Sequence, residues 1–267
     1  MNAMELTLVV FTVLGQTAVG LVLMSAVRQW AAVEGPAGRV RQEWLAALVL
    51  LAVGMFVSFF HLGHPFNAYR ALVHQGTSWL SREALSYTVF GILILIAFVT
   101  MVKKTASLAL LKITALVGLI ALFVSSLVYA PPSLPALSGG APTFFFLLTA
   151  FIVGAAASSY FAGAEKQGLV LKVLTVSLVV GLVVNLAFPG LWTSGGTVMR
   201  QTGLAYFSSG WYWLRILGGL AFPLAVIWIA KRIPVWLPVW LLAGEALGRI
   251  LFFTHVFHTA VNIGGIY

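Results

Sequence analysis

The sequence predicts an all-α, polytopic integral membrane protein with eight transmembrane helices. Charged residues make up 8% of the 267 positions, against roughly 25% in soluble domains. Apolar residues make up 61%, which is more apolar surface than a soluble fold can bury. A membrane-spanning helix needs about 20 predominantly apolar residues, and the chain has room for roughly eight such helices joined by short loops.

The individual spans follow from the apolar runs and from the turn residues between them. Glu34-Gly35-Pro36, Pro131-Pro132 and Ser194-Gly195-Gly196 are typical loop sequences. The chain starts without the positively charged region of a cleavable signal, so residue 5 is expected to lie at the start of the first span. No long linker divides the chain, which predicts one domain over residues 1–267. The spans are expected at about 5–27, 44–61, 82–102, 108–130, 143–163, 169–188, 209–230 and 235–257.

The distribution of lysine and arginine predicts the orientation in a bacterial inner (cytoplasmic) membrane. Ten basic residues lie on one side, against three on the other, and the richer side is normally cytoplasmic. Both termini, and the loop from His61 to Glu83, are therefore predicted to be periplasmic. The net charge of +9 then reflects topology rather than nucleic-acid binding. The ten are Arg28, Arg39, Arg41, Lys103, Lys104, Lys112, Lys166, Lys172, Lys231 and Arg232; the three are Arg70, Arg82 and Arg200.

The residue types exclude several redox cofactors from this chain. There is no cysteine, so disulfides, thiolate metal sites and an iron–sulfur cluster held by this chain alone are excluded. The five histidines fall at predicted helix ends or in loops, whereas a membrane haem needs axial ligands well inside helices. The protein is therefore expected to contain no haem and no metal site.

The most informative cluster of ionisable residues lies between the second and third spans. His61 ends the second span and Glu83 begins the third, so both are expected at one depth near the membrane surface. A hydroquinone needs a groove for its isoprenoid tail and acceptors for two protons. Imidazole and a partly desolvated carboxylate can accept them. His61 and Glu83 are therefore the candidate catalytic and quinol-binding residues.

Two simpler interpretations of these residues stay open. Ser81 is a plausible N-cap, and a carboxylate in the first helical turn is stabilised by the backbone dipole in any protein. His61 could anchor a helix end among the lipid headgroups. His64 and His74 are interpreted as solvated or partner-facing, and so is Arg70.

The last span carries a second polar signal. Gly244 and Gly248 form a G-x-x-x-G face that lets another helix approach closely. Glu245 and Arg249 are spaced i and i+4 and can neutralise each other within the membrane. This pair is interpreted as an internal staple between helices, with a proton path or quinone pocket as the alternative. The roles of His255 and His258, near the outer end of this helix, stay open.

These residues together resemble the membrane-anchor subunit of dimethyl sulfoxide reductase, a DmsC-like, eight-helix family that oxidises quinol. The resemblance covers nearly the whole chain and rests on the order and spacing of several short motifs. One departure is His64, which lies beside the family's His-Leu-Gly run and could share or replace the role of His61. The motifs are Phe11-Thr12-Val13 with Gly15-Gln16, His61-Leu62-Gly63 with Pro65, Glu83, and Gly244-Glu245 with Gly248-Arg249.

The resemblance implies a function in anaerobic respiration and two partner proteins. It implies that His61 and Glu83 form a periplasmic menaquinol site, from which electrons pass to an iron–sulfur subunit with four clusters. It further implies a catalytic subunit that carries the molybdopterin cofactor, which this chain would not hold. On this interpretation the chain is not catalytic alone, and its partner-binding surface includes the loop around Arg70 and Trp79. The competing hypotheses are a small-solute transporter or channel using Glu245 and Arg249, and a purely structural anchor.

Overall fold

The structure, a computed structural model, describes residues 3–31, 37–61, 69, 73–103 and 107–259. Within these ranges the side chains of residues 3–5, 37, 38 and 61 are not described. The described part is helical and contains no strand. Eight of its helices are long and apolar enough to cross a membrane, which confirms the predicted fold class and number of spans.

Eleven α-helices build the described part of the chain. Six spans are single helices, one is extended at its start by a 3₁₀ turn at Ala164–Lys166, and one consists of α9 and α10 joined by a π-helical turn at Leu217–Ala221. The helices are α1 (Ala3–Ala31), α2 (Ala37–Ser58), α3 (Trp79–Lys103), α4 (Leu108–Val128), α5 (Pro135–Ser138), α6 (Ala141–Ser158), α7 (Gln167–Thr193), α8 (Thr197–Ser208), α9 (Gly210–Ile216), α10 (Phe222–Ala230) and α11 (Leu237–Thr254).

The helix boundaries differ from the sequence prediction at three places. The second span begins at residue 37 instead of 44, because its polar first turns are helical as well. The sixth span passes through Pro189 and ends at Thr193 instead of residue 188. The short helix α8 is not predicted by the apolar pattern, since it buries only a narrow stripe that contains Thr202 and Tyr206.

Helices α1 and α6 form the centre of the bundle. In their most apolar stretches 67% and 61% of the residues are buried, against 22–44% in the other six spans. Gly20 and Gly154 lie where these two helices meet, and a Cβ atom on either glycine would overlap the backbone of the other helix. Small residues at such a crossing allow direct backbone packing, which stabilises helix association in a membrane.

A buried ion pair holds α1, α2 and α6 together at the far end of this interface. Arg28 Nη2 lies 2.6 Å from Glu43 Oε2, and both side chains are fully buried. Arg28 also donates to Ser158 of α6. The sequence analysis counts Arg28 among the loop charges, and that assignment is wrong: Arg28 lies within α1 and its charge is matched by Glu43.

The contact between Gly20 and Gly154 leads to a stability prediction. We expect Gly154→Val to lower the free energy of unfolding by about 1–3 kcal/mol or more, because the added side chain forces α1 and α6 apart. Gly190→Val is the matched control, since a Cβ atom at Gly190 of α7 meets no other atom within 4 Å. Thermal unfolding in mild detergent measures both, and equal midpoints for the two variants would contradict the predicted packing.

Candidate functional site

Glu83 lies inside the bundle near the start of α3. It is 2% exposed, and its Oε1 accepts a hydrogen bond of 2.5 Å from Ser125 Oγ on α4. Helices α3 and α4 pack against each other, which brings together two polar groups that are 42 residues apart in the sequence. A carboxyl group at this position faces other helices rather than the lipid headgroups.

The interpretation of Ser81 as a helix cap is wrong, and so is the simplest alternative for Glu83. Helix α3 begins at Trp79, and Ser78 Oγ accepts a hydrogen bond from the Ser81 N–H at 3.3 Å. Glu83 is therefore the fifth residue of the helix and lies beyond its first turn, which contains no acidic residue. Stabilisation by free N–H groups of the first turn does not account for this carboxylate.

Glu83 also differs from the other two buried glutamates among the described residues. Glu43 pairs with Arg28, and Glu245 pairs with Arg215. For Glu83 the described residues provide the Ser125 hydroxyl and no ion pair. Burying a carboxylate without a cationic partner costs several kcal/mol. Uncompensated ionisable groups of this kind are concentrated at functional sites.

Two tyrosines lie between Glu83 and the polar residues of the last helix. Tyr87, one turn after Glu83, is 1% exposed, and its hydroxyl packs over Gly15 of α1. Tyr129 follows α4 and packs edge-on against Phe252 and Phe253. Burial raises the pKa of Tyr129 well above its usual value, the Glu83 charge raises it further, and the Arg249 charge lowers it. Tyr129 therefore lies within electrostatic reach of both Glu83 and Arg249.

A hydrogen-bonded network links α1, α6, α9 and α11 next to these tyrosines. Arg249 Nη2 donates to Gln16 Oε1 at 2.6 Å and to Thr149 Oγ1 at 3.2 Å. Thr149 in turn donates to Glu245 Oε2 at 2.7 Å. Glu245 Oε1 lies 2.5 Å from Arg215 Nη2. All five side chains are buried, so the network forms one polar core inside an apolar bundle.

The predicted neutralisation of Glu245 by Arg249 within one helix is wrong. Glu245 forms its ion pair with Arg215 of α9, whereas Arg249 is held by neutral groups and by the faces of Phe146 and Phe252, 4.1 Å and 5.2 Å from its guanidinium carbon. The sequence analysis gives no role to Arg215. Its signal is an arginine in the middle of a predicted span, where a charge needs a partner.

The two glycines of the last helix do receive a neighbouring helix, as the sequence predicts. A Cβ atom at Gly244 would lie 3.1 Å from the Cα of Gly219, in the π-helical turn. At Gly248 a Cβ atom would lie 2.7 Å from Arg215 Nε. The absent side chains therefore admit both the wide turn and the arginine that pairs with Glu245. Trp240 Nε1 donates to Gly218 O of the same turn at 2.9 Å, and π-helical turns of this kind often lie at functional sites.

A small cavity of about 30 Å³ lies against this network. Arg215, Glu245 and Arg249 line it together with Tyr206 and Tyr212. Among the described residues, Nε and Nη1 of both arginines are buried without a hydrogen-bond acceptor. This volume accommodates about two water molecules and is far below the several hundred Å³ of an organic ligand pocket. The cavity is therefore suited to water and does not contain the ring of a quinone.

The histidines of the candidate site are only partly described. The backbone of His61 lies in a 3₁₀ turn, Phe59–His61, that packs on α1 and α2, but its side chain lies outside the described residues, as does all of His64. His74 is exposed, as the sequence predicts. Arg70 lies outside the described residues. In the part of the sequence that the structure describes, no three potential metal-binding side chains lie together.

The two histidines after α11 have different surroundings. His255 packs edge-on against Tyr206 of α8, with 5.7 Å between ring centroids, and its Nδ1 is 2.8 Å from Thr254 Oγ1. Burial lowers the pKa of His255 below its usual value, which favours the neutral imidazole. His258 is exposed.

The loop before α3 is held by Arg82. Its guanidinium group donates to the backbone carbonyls of Gln75 and Gly76 at 2.8 Å and 2.7 Å. The guanidinium carbon also lies 4.3 Å from the ring centroid of Trp79. Trp79 is 43% exposed. Arg82 therefore fixes a surface of polar backbone and exposed aromatic rings directly beside the start of α3.

The ion pair between α9 and α11 leads to a second prediction. We expect Arg215→Met to destabilise the protein by about 3–5 kcal/mol, because Glu245 keeps its buried charge without a cation. The double variant Arg215→Met/Glu245→Leu should recover most of this loss. Denaturation in detergent measures both effects, with the exposed Arg41→Met as control. A single variant as stable as the wild type would show that the pair does not hold these helices.

Comparison with known proteins places this sequence among the anchors of respiratory reductases. The anaerobic dimethyl sulfoxide reductase chain YnfH of Escherichia coli is 27% identical over 93% of this chain and 94% of its own length. An anaerobic dimethyl sulfoxide reductase protein of Haemophilus influenzae, its C chain, is 31% identical over 61% of this sequence and 60% of its own length. A 41-residue segment is 56% identical to the C subunit of the Allochromatium vinosum sulfite dehydrogenase, covering 15% of this sequence and 13% of that protein.

The family model for the DMSO reductase anchor subunit (DmsC) matches residues 1–190. This range contains the first six spans, including Gln16, Glu83, Ser125 and Thr149. The chain therefore belongs to the DMSO reductase anchor subunit family.

Proposed function

We propose that this membrane anchor oxidises menaquinol near its periplasmic face and passes the electrons to an iron–sulfur subunit in anaerobic respiration. A catalytic subunit with a molybdopterin cofactor then reduces the terminal acceptor. The membership of the family supports a role as the anchor of a reductase complex. The eight apolar helices support a multi-pass position in the membrane.

The buried carboxyl group of Glu83 carries this proposal. It lies near the end of a helix, between α3 and α4, and the described residues give it a hydroxyl partner in place of a cation. Such a group can accept a hydrogen bond and then a proton from a phenolic hydroxyl. A structural carboxylate would be expected to carry an arginine, as Glu43 and Glu245 do.

The chemistry requires two proton acceptors and one electron acceptor. Each menaquinol that becomes menaquinone releases two protons and two electrons. We assign one proton to Glu83 and the other to His61, with His64 as a further candidate for the second. The two electrons leave for the clusters of the iron–sulfur subunit, because a chain without cysteine holds no cluster of its own.

The surface beside α3 is our proposed docking site for the iron–sulfur subunit. Arg82 holds the loop backbone, and Trp79 is exposed next to it. A partner bound there lies above the start of α3, only a few residues from Glu83. This position keeps the path of the electrons short. Arg70, in the same loop, is expected to contribute to this surface.

The polar core of α11 argues against the transporter hypothesis. Glu245 and Arg249 are engaged with Arg215, Thr149 and Gln16. The adjoining cavity, at about 30 Å³, is too small for an organic solute. We therefore assign Glu245 and Arg249 to the support of the bundle beside the quinol site.

A second function uses the same site in the opposite direction. The local similarity to a sulfite dehydrogenase protein favours an anchor that reduces quinone with electrons from its partners. The direction is tested by supplying the purified complex with either a quinol or a quinone analogue. Steady-state turnover with an oxidised sulfur compound and quinol supports the reductase, and turnover with sulfite and quinone supports the reverse.

Substitution of Glu83 tests the proposed role directly. We expect Glu83→Gln to slow oxidation of a soluble menaquinol analogue by about 100-fold or more, because the amide accepts no proton. Its oxygen can still accept the Ser125 hydrogen bond, so the complex should assemble. Reduction of the terminal acceptor by an artificial dye, which bypasses the anchor, should be unchanged.

The same assay includes His61→Ala, with the same expectation, and Glu165→Gln as a control. Glu165 is an exposed carboxylate, and its substitution should leave quinol oxidation unchanged. Normal quinol turnover by Glu83→Gln in an assembled complex would refute the assignment of that residue. A protein that purifies without iron–sulfur and molybdenum subunits would refute the anchor function itself.

A further inference from the structure

A second and larger cavity lies at the other face of the bundle. It measures about 370 Å³ and opens between two connections, one from α6 to α7 and the other from α10 to α11. Both connections follow helices that run away from the Glu83 face, so the cavity lies on the opposite side of the membrane. Its volume is within the range of ordinary small-molecule pockets.

Hydrogen bonds fix the walls of this cavity. Tyr160 Oη donates to Val235 O at 2.6 Å, which ties the two connections together. Gln167 Nε2 donates to the carbonyls of Ser159 and Ala162 at 2.9 Å and 3.0 Å. At Gly168, which also lines the cavity, a Cβ atom would meet no atom within 4 Å. The cavity is therefore a shaped space with room beside α7.

Two adjacent cations line the cavity. Lys231 and Arg232 are both exposed, and neither forms an ion pair among the described residues. The ammonium group of Lys231 lies 4.1 Å from the ring centroid of Trp228. Glu165, in the neighbouring 3₁₀ turn, is an exposed acidic residue and does not line the cavity. The pocket therefore offers two positive charges to an anion.

The surroundings of the cavity are suited to a lipid rather than to a soluble anion or a protein. Val235 in its wall is 79% exposed, and Ile229 and Trp228 nearby are 81% and 68% exposed. These apolar side chains belong to the lipid-facing end of α10 and the turn after it, and they provide a surface for an acyl tail. The phosphate group of the same molecule can then bind Lys231 and Arg232.

We propose that this cavity binds the headgroup phosphate of an anionic phospholipid. The ligand chemistry is a phosphodiester monoanion with attached acyl tails. The face is the one that carries the excess of lysine and arginine, and basic pockets between helices on the cytoplasmic side are suited to anionic headgroups. The proposal does not depend on quinol oxidation, because none of its residues contacts Glu83 or the α11 network.

Lipid binding to the intact complex tests the proposal. The complex is purified in mild detergent, stripped of lipid, and titrated with dioleoylphosphatidylglycerol while native mass spectrometry records the bound lipid. We expect one molecule to bind tightly to the wild type. Lys231→Gln/Arg232→Gln should bind it at least tenfold more weakly. Gly168→Leu, which keeps both charges but fills the cavity, should weaken binding to a similar extent.

The control variant removes the same charge from the same face. Lys112→Gln/Arg39→Gln deletes two exposed cations on other helices, one of which lies 4.5 Å over the ring of Trp30 as Lys231 lies over Trp228. We expect this variant to bind the lipid like the wild type. Quinol oxidation is measured in every variant, and we expect it to be retained, so that failure of this proposal is distinguished from failure of the proposed function.

Several results would overturn the proposal. Equal binding by the cavity variants and the control variant would show that the lipid binds elsewhere. Displacement of the lipid by millimolar inorganic phosphate would identify a site for free anions. Equal affinity for dioleoylphosphatidylcholine would exclude recognition of the negative charge. Binding to the isolated anchor but not to the assembled complex would show that a partner protein covers the pocket.

Discussion

The organisation of this bundle depends on the cost of placing charge in an apolar interior. Of the four buried basic and acidic residues that form ion pairs, each meets its opposite on another helix. Arg28 with Glu43 ties α1 to α2, and Arg215 with Glu245 ties α9 to α11. Because losing one partner leaves the other uncompensated, each pair fixes the register of its helices. The few charges in the membrane therefore act as position markers.

The exceptions to this pairing mark the candidate functional region. Glu83 has a hydroxyl group for a partner, and Arg249 is held by an amide, a hydroxyl and two aromatic faces. The two side chains carry opposite charge, and both influence Tyr129, which lies between them. They do not form a direct ion pair. Glu83 thus stays accessible to a ligand, while Arg249 and its network provide a rigid wall behind it.

The sequence predicted the class of fold well, because hydropathy determines how many helices cross a membrane. It also predicted the position of Glu83 at the start of a span, since that depends only on where an apolar run begins. Which way its side chain points was not predictable, because the helix begins at Trp79 rather than at Ser81. Ser125 carries no distinguishing signal either, as hydroxyl groups in apolar helices usually bond to their own backbone.

The pairing of charges was the least predictable feature. Spacing along α11 favours Glu245 with Arg249, but the wide turn after α9 brings Arg215 closer to the same carboxylate. Such a turn depends on glycines in two different helices, which no pattern in a single segment reveals. Arg28 shows the same limitation: near a helix end it resembles a topological charge, and only the position of Glu43 on the next helix shows that it is buried.

The contact between Gly20 and Gly154 also has an electrical consequence. It lies between two polar groups on the same pair of helices, with Gln16 and Thr149 toward one end and Arg28 and Ser158 toward the other. Backbone atoms pack so closely there that not even a methyl group fits between α1 and α6, so no water can enter. This stretch of the central interface is therefore an insulator, and part of the membrane voltage falls across dry peptide backbone. A proton released beside Glu83 has no route along this interface to the opposite compartment.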